Sequence, residues 1–154
     1  MKITELVRRT NTEADKKLTA RYDFLENLIK ELNTRELSLE IMKVINQDIE
    51  MLNSFSGSDK DLLKLLGKKQ TGILQLLEKE LKLICKGHYR NMWLALGMAT
   101  FGLPLGTALG LTLGNMAYIG IGLPLGLVLG MAYGTSLDKK ACEEGRQLEV
   151  ELTC

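Results

Sequence analysis

The chain has 154 residues, a formal net charge of +1 at pH 7, 45% hydrophobic residues and three cysteines. The near-neutral total conceals a division, because residues 1–90 and 138–154 are densely charged whereas residues 91–137 carry no charged side chain. The lysines and glutamates of the N-terminal part are interleaved as on solvated helix faces, which argues against a nucleic-acid-binding protein. The length leaves room for one apolar hairpin and one modest soluble segment.

Residues 1–90 are predicted to form amphipathic helices. Apolar residues recur there at spacings of three and four, the period of one helix face. The first two stripes comprise Leu18, Tyr22, Leu25, Ile29 and Leu32, and then Leu37, Ile41, Val44, Ile45, Ile49 and Leu52. A third stripe runs from Leu62 to Ile84 behind Ser58, a predicted N-cap, with Gly67 and Gly72 as candidate interruptions. We expect this third helix to lead almost directly into the apolar run, with a bend near Gly87.

Two arrangements would cover these stripes, a three-helix bundle within one chain or a coiled coil between chains. A soluble segment of fewer than 90 residues makes only a small core. We therefore favour association with other copies or with a cytosolic protein partner. The spacing of the stripes does not decide between the two arrangements.

The uncharged run at 91–137 is too long for a single crossing of a lipid bilayer. From Met92 to Leu137 it would measure about 69 Å as one straight helix, roughly twice the ~30 Å hydrocarbon core. We predict that the chain reverses within Gly114–Ala117, where glycine and asparagine supply turn conformations and the asparagine a polar amide. Two helical spans at about 92–113 and 117–137 follow, with residues 138–154 as a charged tail. The predicted fold is all-α, with N-terminal helices followed by a two-helix transmembrane hairpin.

Flanking residues predict the orientation of the hairpin. Lysines and arginines lie before the first span and after the second, whereas the predicted turn has none. By the positive-inside rule both termini face the cytosol, and the protein belongs in the cytoplasmic (inner) membrane. The predicted interfacial anchors are Tyr89, Arg90, Trp93, Tyr118, Lys139 and Lys140.

Glycine recurs at every fourth position within the spans, inside two copies of a block that begins GLPLG. Small residues at this spacing let helix backbones approach closely in lipid, where no hydrophobic effect drives helices together. The predicted helix-packing residues are Gly102, Gly106, Gly110, Gly114, Gly122, Gly126, Gly130 and Gly134. Whether they join hairpins of different chains or the two spans of one chain stays open at this stage.

Pro104 and Pro124 occupy the same place in the two blocks and are predicted to set helix shape. Pro104 lies well inside the first span, so it should release the carbonyl of Thr100 and bend the helix there. Pro124 lies nearer the start of its span, where proline is tolerated better. A hinge or a constriction is the alternative role for these prolines.

The sequence offers no catalytic, cofactor-binding or metal-binding constellation. Cys85, Cys142 and Cys154 lack CxxC spacing and share the chain with the single histidine, His88. We interpret them as free thiols in a reducing compartment. No nucleophile with an adjacent base and no phosphate loop is present, so we expect neither enzymatic activity nor a cofactor.

The doubled GLPLG block, followed by GTSLDKKACEEGRQLE at 134–149, resembles the small bacterial glycine-zipper membrane proteins. The resemblance covers about Trp93 to Leu148 and leaves out the N-terminal helices. It implies a bacterial membrane hairpin and little about mechanism.

Two functions fit these observations. In the first, the lipid-embedded hairpin self-associates through Gly-xxx-Gly packing into a homo-oligomer and serves as an anchored scaffold or adaptor. In the second, a ring of the same hairpins forms a pore or disrupts the bilayer. Thr100, Thr107, Thr112 and Asn115 could contribute mild polarity to such a pore, but no charged residue lies in either span.

Overall fold

The computed structural model describes residues 2–9 and 15–151 and divides into two compact units. Unit 1 comprises residues up to Cys85 together with the segment from Leu148, and unit 2 comprises Lys86–Gln147. Cys154 and residues 10–14 lie outside the described residues. The helical fold expected from the sequence is confirmed, with the addition of one short two-stranded sheet.

The described residues of unit 1 form three helices, α1 (Lys16–Leu32), α2 (Leu39–Asn53) and α3 (Asp59–Leu81). Each begins at a side-chain cap, from Asp15, Ser38 and Ser58 respectively, which accepts a hydrogen bond from a backbone N–H of the first turn. The helix α3 passes through Gly67 and Gly72 without interruption. Packing of its apolar face therefore outweighs the unfavourable helix propensity of glycine, about 1 kcal/mol per residue relative to alanine.

The predicted apolar stripes close on one another within the chain. Tyr22 of α1, Ile45 of α2 and Leu66 of α3 are all at most 2% exposed and belong to one hydrophobic cluster. Our preference for association between chains as the cover for these stripes was therefore wrong. Val44, counted in the second stripe, lies on the exposed side of α2.

The third helix ends earlier than predicted. Lys82 adopts a left-handed conformation with φ 55°, and a short strand, β1 (Ile84–Lys86), follows. Its partner, β2 (Gln147–Glu151), lies in the predicted charged tail. Leu148 and Val150 of β2 join Cys85 in the core of unit 1, so this segment completes the core instead of forming a free tail.

Unit 2 is a helical hairpin. Its first arm comprises α4 (His88–Gly97), a π-helical turn at Met98–Gly102 and α5 (Leu103–Thr112). The second arm is α6 (Ile119–Glu143), which follows a 3₁₀ turn at Met116–Tyr118. The chain reverses at the predicted place, where Gly114 has φ 67° and the Asn115 side chain accepts a hydrogen bond from the Ala117 N–H. The second arm extends past the predicted end at Leu137.

The strand β2 gives a test of the fold of unit 1. Leu148 is fully buried, so Leu148→Ala should lower the free energy of unfolding by about 2–5 kcal/mol. Burial raises the pKa of the Cys85 thiol to about 11, so alkylation of Cys85 at pH 8 should report opening of this core. In a chain with Cys142 and Cys154 replaced by serine, Leu148→Ala should accelerate that alkylation.

Glu149→Ala is the matched control, because the Glu149 side chain is exposed on the same strand. It should leave both the unfolding midpoint and the alkylation rate close to those of the parent chain. Equal effects of the two substitutions would show that β2 does not pack into the core.

Candidate functional site: a glycine-packed helical hairpin

The two arms of unit 2 bury their smallest residues and expose their largest. The buried residues of α6 are Gly122, Gly126, Gly130, Gly134, Asp138 and Ala141. Large apolar side chains on both arms point outward, among them Leu103, Leu105, Leu111, Ile121, Leu125, Val128, Leu129 and Met131. A helix pair that folds in water buries its large apolar residues, so this hairpin has the reverse pattern.

The buried glycines bring the two backbones into direct contact. A β-carbon added at Gly126 would lie 2.5 Å from the carbonyl oxygen of Gly97 and 2.6 Å from Cα of Gly102. A β-carbon at Gly134 would lie 2.6 Å from Cα of Arg90. Because these neighbours are backbone atoms, they cannot move aside as a flexible side chain would. Close backbone contact at these glycines thus joins the two arms of one chain.

The eight predicted packing glycines are not equivalent. Gly102, Gly106, Gly122, Gly126, Gly130 and Gly134 all approach backbone of the opposite arm closely. A β-carbon at Gly110 would make only ordinary contact, 3.4 Å from Sδ of Met116. Gly114 has open space around it, and its positive φ makes it a turn residue.

The sequence pattern missed Gly97, which contacts Gly126 and Gly130. Gly97 lies five residues before Gly102, and in a regular α-helix a residue five positions on is turned by about 140°. The π-helical turn at Met98–Gly102 absorbs the extra residue, so both glycines face α6. The spacing of five, just before a proline, was the available signal.

The π-helical turn directly precedes Pro104, which lies in the first turn of α5. Leu103 donates its backbone N–H to the carbonyl of Met98, the five-residue hydrogen bond of a π-helix. Thr100, whose carbonyl we expected Pro104 to release, lies inside this turn. Pro124 instead lies inside α6, which continues through it.

Asp138 closes the open end of the hairpin. Its buried carboxylate on α6 accepts hydrogen bonds from the backbone N–H groups of Tyr89 at 3.0 Å and Arg90 at 2.9 Å. These N–H groups belong to the first turn of α4, whose own N-cap, Gly87, has no side chain to offer. The carboxylate therefore caps α4 from the other arm and also complements its helix dipole. The sequence analysis did not identify Asp138.

The predicted interfacial residues lie near the two ends of the hairpin. Trp93 of α4 and Tyr133 of α6 form an edge-to-face pair with ring centroids 4.5 Å apart. Tyr89, Arg90, Lys139 and Lys140 lie on the turns beyond this pair, and both lysines are exposed. Tyr118 lies at the opposite end, in the 3₁₀ turn.

The threonines of the arms bond within their own helices. Thr100 donates to the carbonyl of Leu96, Thr107 to that of Pro104 and Thr112 to that of Ala108, over 2.7–3.0 Å. Their hydroxyl groups are therefore satisfied without water or a partner chain. Across residues 2–9 and 15–151, no group of three His, Cys, Asp or Glu side chains could hold a metal ion.

The close backbone contact predicts different effects on stability when two glycines of α6 are each replaced by alanine. Gly126→Ala should lower the stability of the hairpin by about 1–3 kcal/mol, because the new methyl group must push the arms apart. Gly120→Ala is the matched control, since a β-carbon there meets nothing within 4 Å. It should be neutral or stabilise by up to about 1 kcal/mol through helix propensity. Trp93 fluorescence during unfolding in mixed micelles measures both, and equal destabilisation would contradict the packing.

The carboxylate cap predicts a second pair of effects. Asp138→Ala should lower the free energy of unfolding of the hairpin by about 2–4 kcal/mol. Two buried backbone N–H groups of α4 would lose their charged acceptor. Asp138→Asn keeps one acceptor oxygen and should cost less. Glu143→Gln, at an exposed position of the same helix, should have little effect. The same micelle unfolding assay applies, and an Asp138→Ala hairpin as stable as the parent would exclude the capping role.

No known family model, curated protein or solved structure matches this chain. The resemblance to glycine-zipper membrane proteins stays a prediction from the residue pattern, and the function is argued from the hairpin itself.

Proposed function

We propose that the protein is an integral membrane protein of bacteria that anchors its N-terminal helical unit to the cytoplasmic membrane as a scaffold or adaptor. Two of its helical segments are long and apolar enough to cross a bilayer. They are His88–Thr112, with mean hydropathy 1.6, and Met116–Glu143, with mean hydropathy 1.7. Core helices of soluble proteins share this length and composition, so the burial pattern of the arms is what separates the two cases.

The observation that carries the proposal is the burial pattern of the hairpin. The eight outward-facing side chains that we named for the two arms are 40–69% exposed, whereas the glycines are buried. Leaving these side chains in water would forgo on the order of 10 kcal/mol of hydrophobic stabilisation. In lipid that loss vanishes, and close glycine packing becomes a favourable way to join helices. The pattern is therefore favourable in a bilayer and unfavourable in water.

The charge at the two ends supports the proposed orientation. Arg90, Lys139 and Lys140 lie at the end where α4 begins and α6 ends, and the turn around Asn115 has no charged residue. The basic end would face the cytosol under the positive-inside rule, which places unit 1 there as well.

We favour the scaffold over the pore because of how the polar and small groups are used. The threonine hydroxyl groups bond within their own helices, so they add little polarity to an outer surface. The glycines that could have packed neighbouring hairpins together are instead in contact with the opposite arm of the same chain. Association between copies would then rest on other surfaces.

Cysteine accessibility tests the proposed topology. In a chain with Cys142 and Cys154 replaced by serine, Asn115→Cys should react with a membrane-impermeant maleimide on intact spheroplasts. Lys140→Cys should react only after lysis, and Cys85 should stay slow in both cases because it is buried. The protein should also stay in the membrane pellet after an alkaline carbonate wash.

Recovery of the chain in the soluble fraction would contradict the anchor. Labelling of Lys140→Cys on intact spheroplasts, with Asn115→Cys reacting only after lysis, would contradict the orientation while leaving the anchor in place.

A further inference from the structure

A cleft lined by side chains of α1 and α3 lies within unit 1 and is here called the basic cleft. Its volume is about 430 Å³, within the roughly 300–1,000 Å³ of small-molecule sites. Three of its lining residues are cations of α1, namely Lys16, Lys17 and Arg21. Its apolar lining comes from Ala20, Phe24 and Leu63. The basic cleft therefore combines positive charge with an apolar wall.

Arg21 differs from the other arginines of unit 1 in the group that it bonds. Arg8, Arg9 and Arg35 each form an ion pair with a carboxylate. Arg21 instead donates from Nη1 to the neutral amide oxygen of Gln70, at 2.5 Å. Within residues 2–9 and 15–151, no ion pair involves any of the three cations of the basic cleft. Their positive charge is left for a ligand of opposite charge.

The protein itself positions the Arg21 guanidinium. Its acceptor, Gln70, is 3% exposed and belongs to the buried face of α3. A β-carbon added at Gly67 would lie 3.8 Å from the guanidinium carbon, so the group lies close to the backbone of α3. A guanidinium has five N–H donors, and Gln70 accepts from one of them. A group held in this way loses less conformational entropy when a ligand binds.

We propose that the basic cleft binds a phosphate ester. The phosphate group accepts hydrogen bonds from Arg21, because the fork of N–H groups of a guanidinium matches the spacing of phosphate oxygens. Lys16 and Lys17 add positive charge beside it. The organic part of the ester lies against Phe24 and Leu63. Inorganic phosphate would leave this apolar wall uncovered, so the ester is the better ligand.

A soluble small molecule and the headgroup of a membrane phospholipid both present this chemistry. The basic cleft lies wholly within unit 1, so a soluble ester reaches it without the membrane anchor. A lipid source rests on the proposed anchor, because only a chain at the membrane meets the headgroups. In both cases the inference adds a binding site to the proposed scaffold.

Phosphorus NMR tests binding to the full-length chain in maltoside micelles, which contain no phosphorus. The probe is phenyl phosphate, whose phosphorus resonance should broaden as the ester exchanges with the parent protein. Inorganic phosphate at the same ionic strength should bind about tenfold more weakly, because it leaves the apolar wall uncovered. No broadening of phenyl phosphate by the parent, or equal affinity for the two probes, would overturn the phosphate-ester site.

Removal of charge from the basic cleft should weaken binding. Arg21→Gln should raise the Kd for phenyl phosphate about tenfold, since charge-assisted hydrogen bonds to the phosphate are lost. A second variant, Lys16→Gln with Lys17→Gln, changes two exposed side chains and should also raise the Kd. Lys43→Gln is the matched control, because it removes one charge from an exposed position of α2 and should bind as the parent does.

The fold of each variant is checked by alkylation of the buried Cys85 in the chain with Cys142 and Cys154 replaced by serine. Alkylation as slow as in the parent shows that unit 1 is folded, so that a raised Kd reports the loss of the site. Equal affinity of the parent and both charge-removal variants for phenyl phosphate would overturn the basic cleft as the binding site.

Phosphatidylglycerol added to the micelles distinguishes the two sources of the ester. Displacement of phenyl phosphate by this anionic lipid, and not by phosphatidylcholine, would assign the site to a lipid headgroup. Binding of phenyl phosphate that neither lipid displaces would assign it to a soluble ester. The fraction in which the protein is found separates the two proposals. A membrane-bound chain that does not bind phenyl phosphate contradicts the basic cleft alone, and a soluble chain that binds it contradicts the anchor alone.

Discussion

The architecture of unit 2 depends on direct contact between the backbones of two antiparallel helices. Glycines on both arms remove the side chains that would hold the helices apart, and a π-helical turn brings Gly97 into the same row as Gly102. With the interior made of backbone, the large apolar side chains of the arms are left exposed or half-exposed. That constraint links the packing of the hairpin to its surroundings, since an outer surface of leucine and isoleucine is favourable only in an apolar medium.

The burial pattern of unit 1 is the reverse of that of unit 2. Its helices bury large apolar residues such as Tyr22 and Leu66 and direct lysines and glutamates outward, as water requires. One chain thus contains two kinds of interior, one made of large apolar side chains and the other of glycine backbone. The carboxylate of Asp138 is the one buried charged side chain of the described residues, and it is placed where the hairpin ends and the backbone N–H groups of α4 need an acceptor.

Local patterns in the sequence predicted much of this fold. The spacing of apolar residues predicted the three helices of unit 1, and the Gly114–Asn115 pair predicted the turn of the hairpin. The pairing of β1 with β2 was beyond prediction, because its two strands lie some sixty residues apart and each is short and charged. Asp138 and Gly97 were also missed, since their roles depend on a neighbour supplied by the other arm. The extended segment at residues 2–9 was missed because its backbone bonds to asparagine side chains, which single-segment patterns assign to caps and turns.

The position of β2 in the chain sets an order of events during synthesis. Leu148 and Val150 belong to the core of unit 1, yet the ribosome makes them after the whole hairpin. Unit 1 therefore remains incomplete while the hairpin is being synthesised, and its core closes only once the last strand has emerged. A chain that stalls or is cut before Leu148 would expose the site left by that strand, including Cys85, and would be open to proteases. Completion of unit 1 thus shows that translation has passed the hairpin.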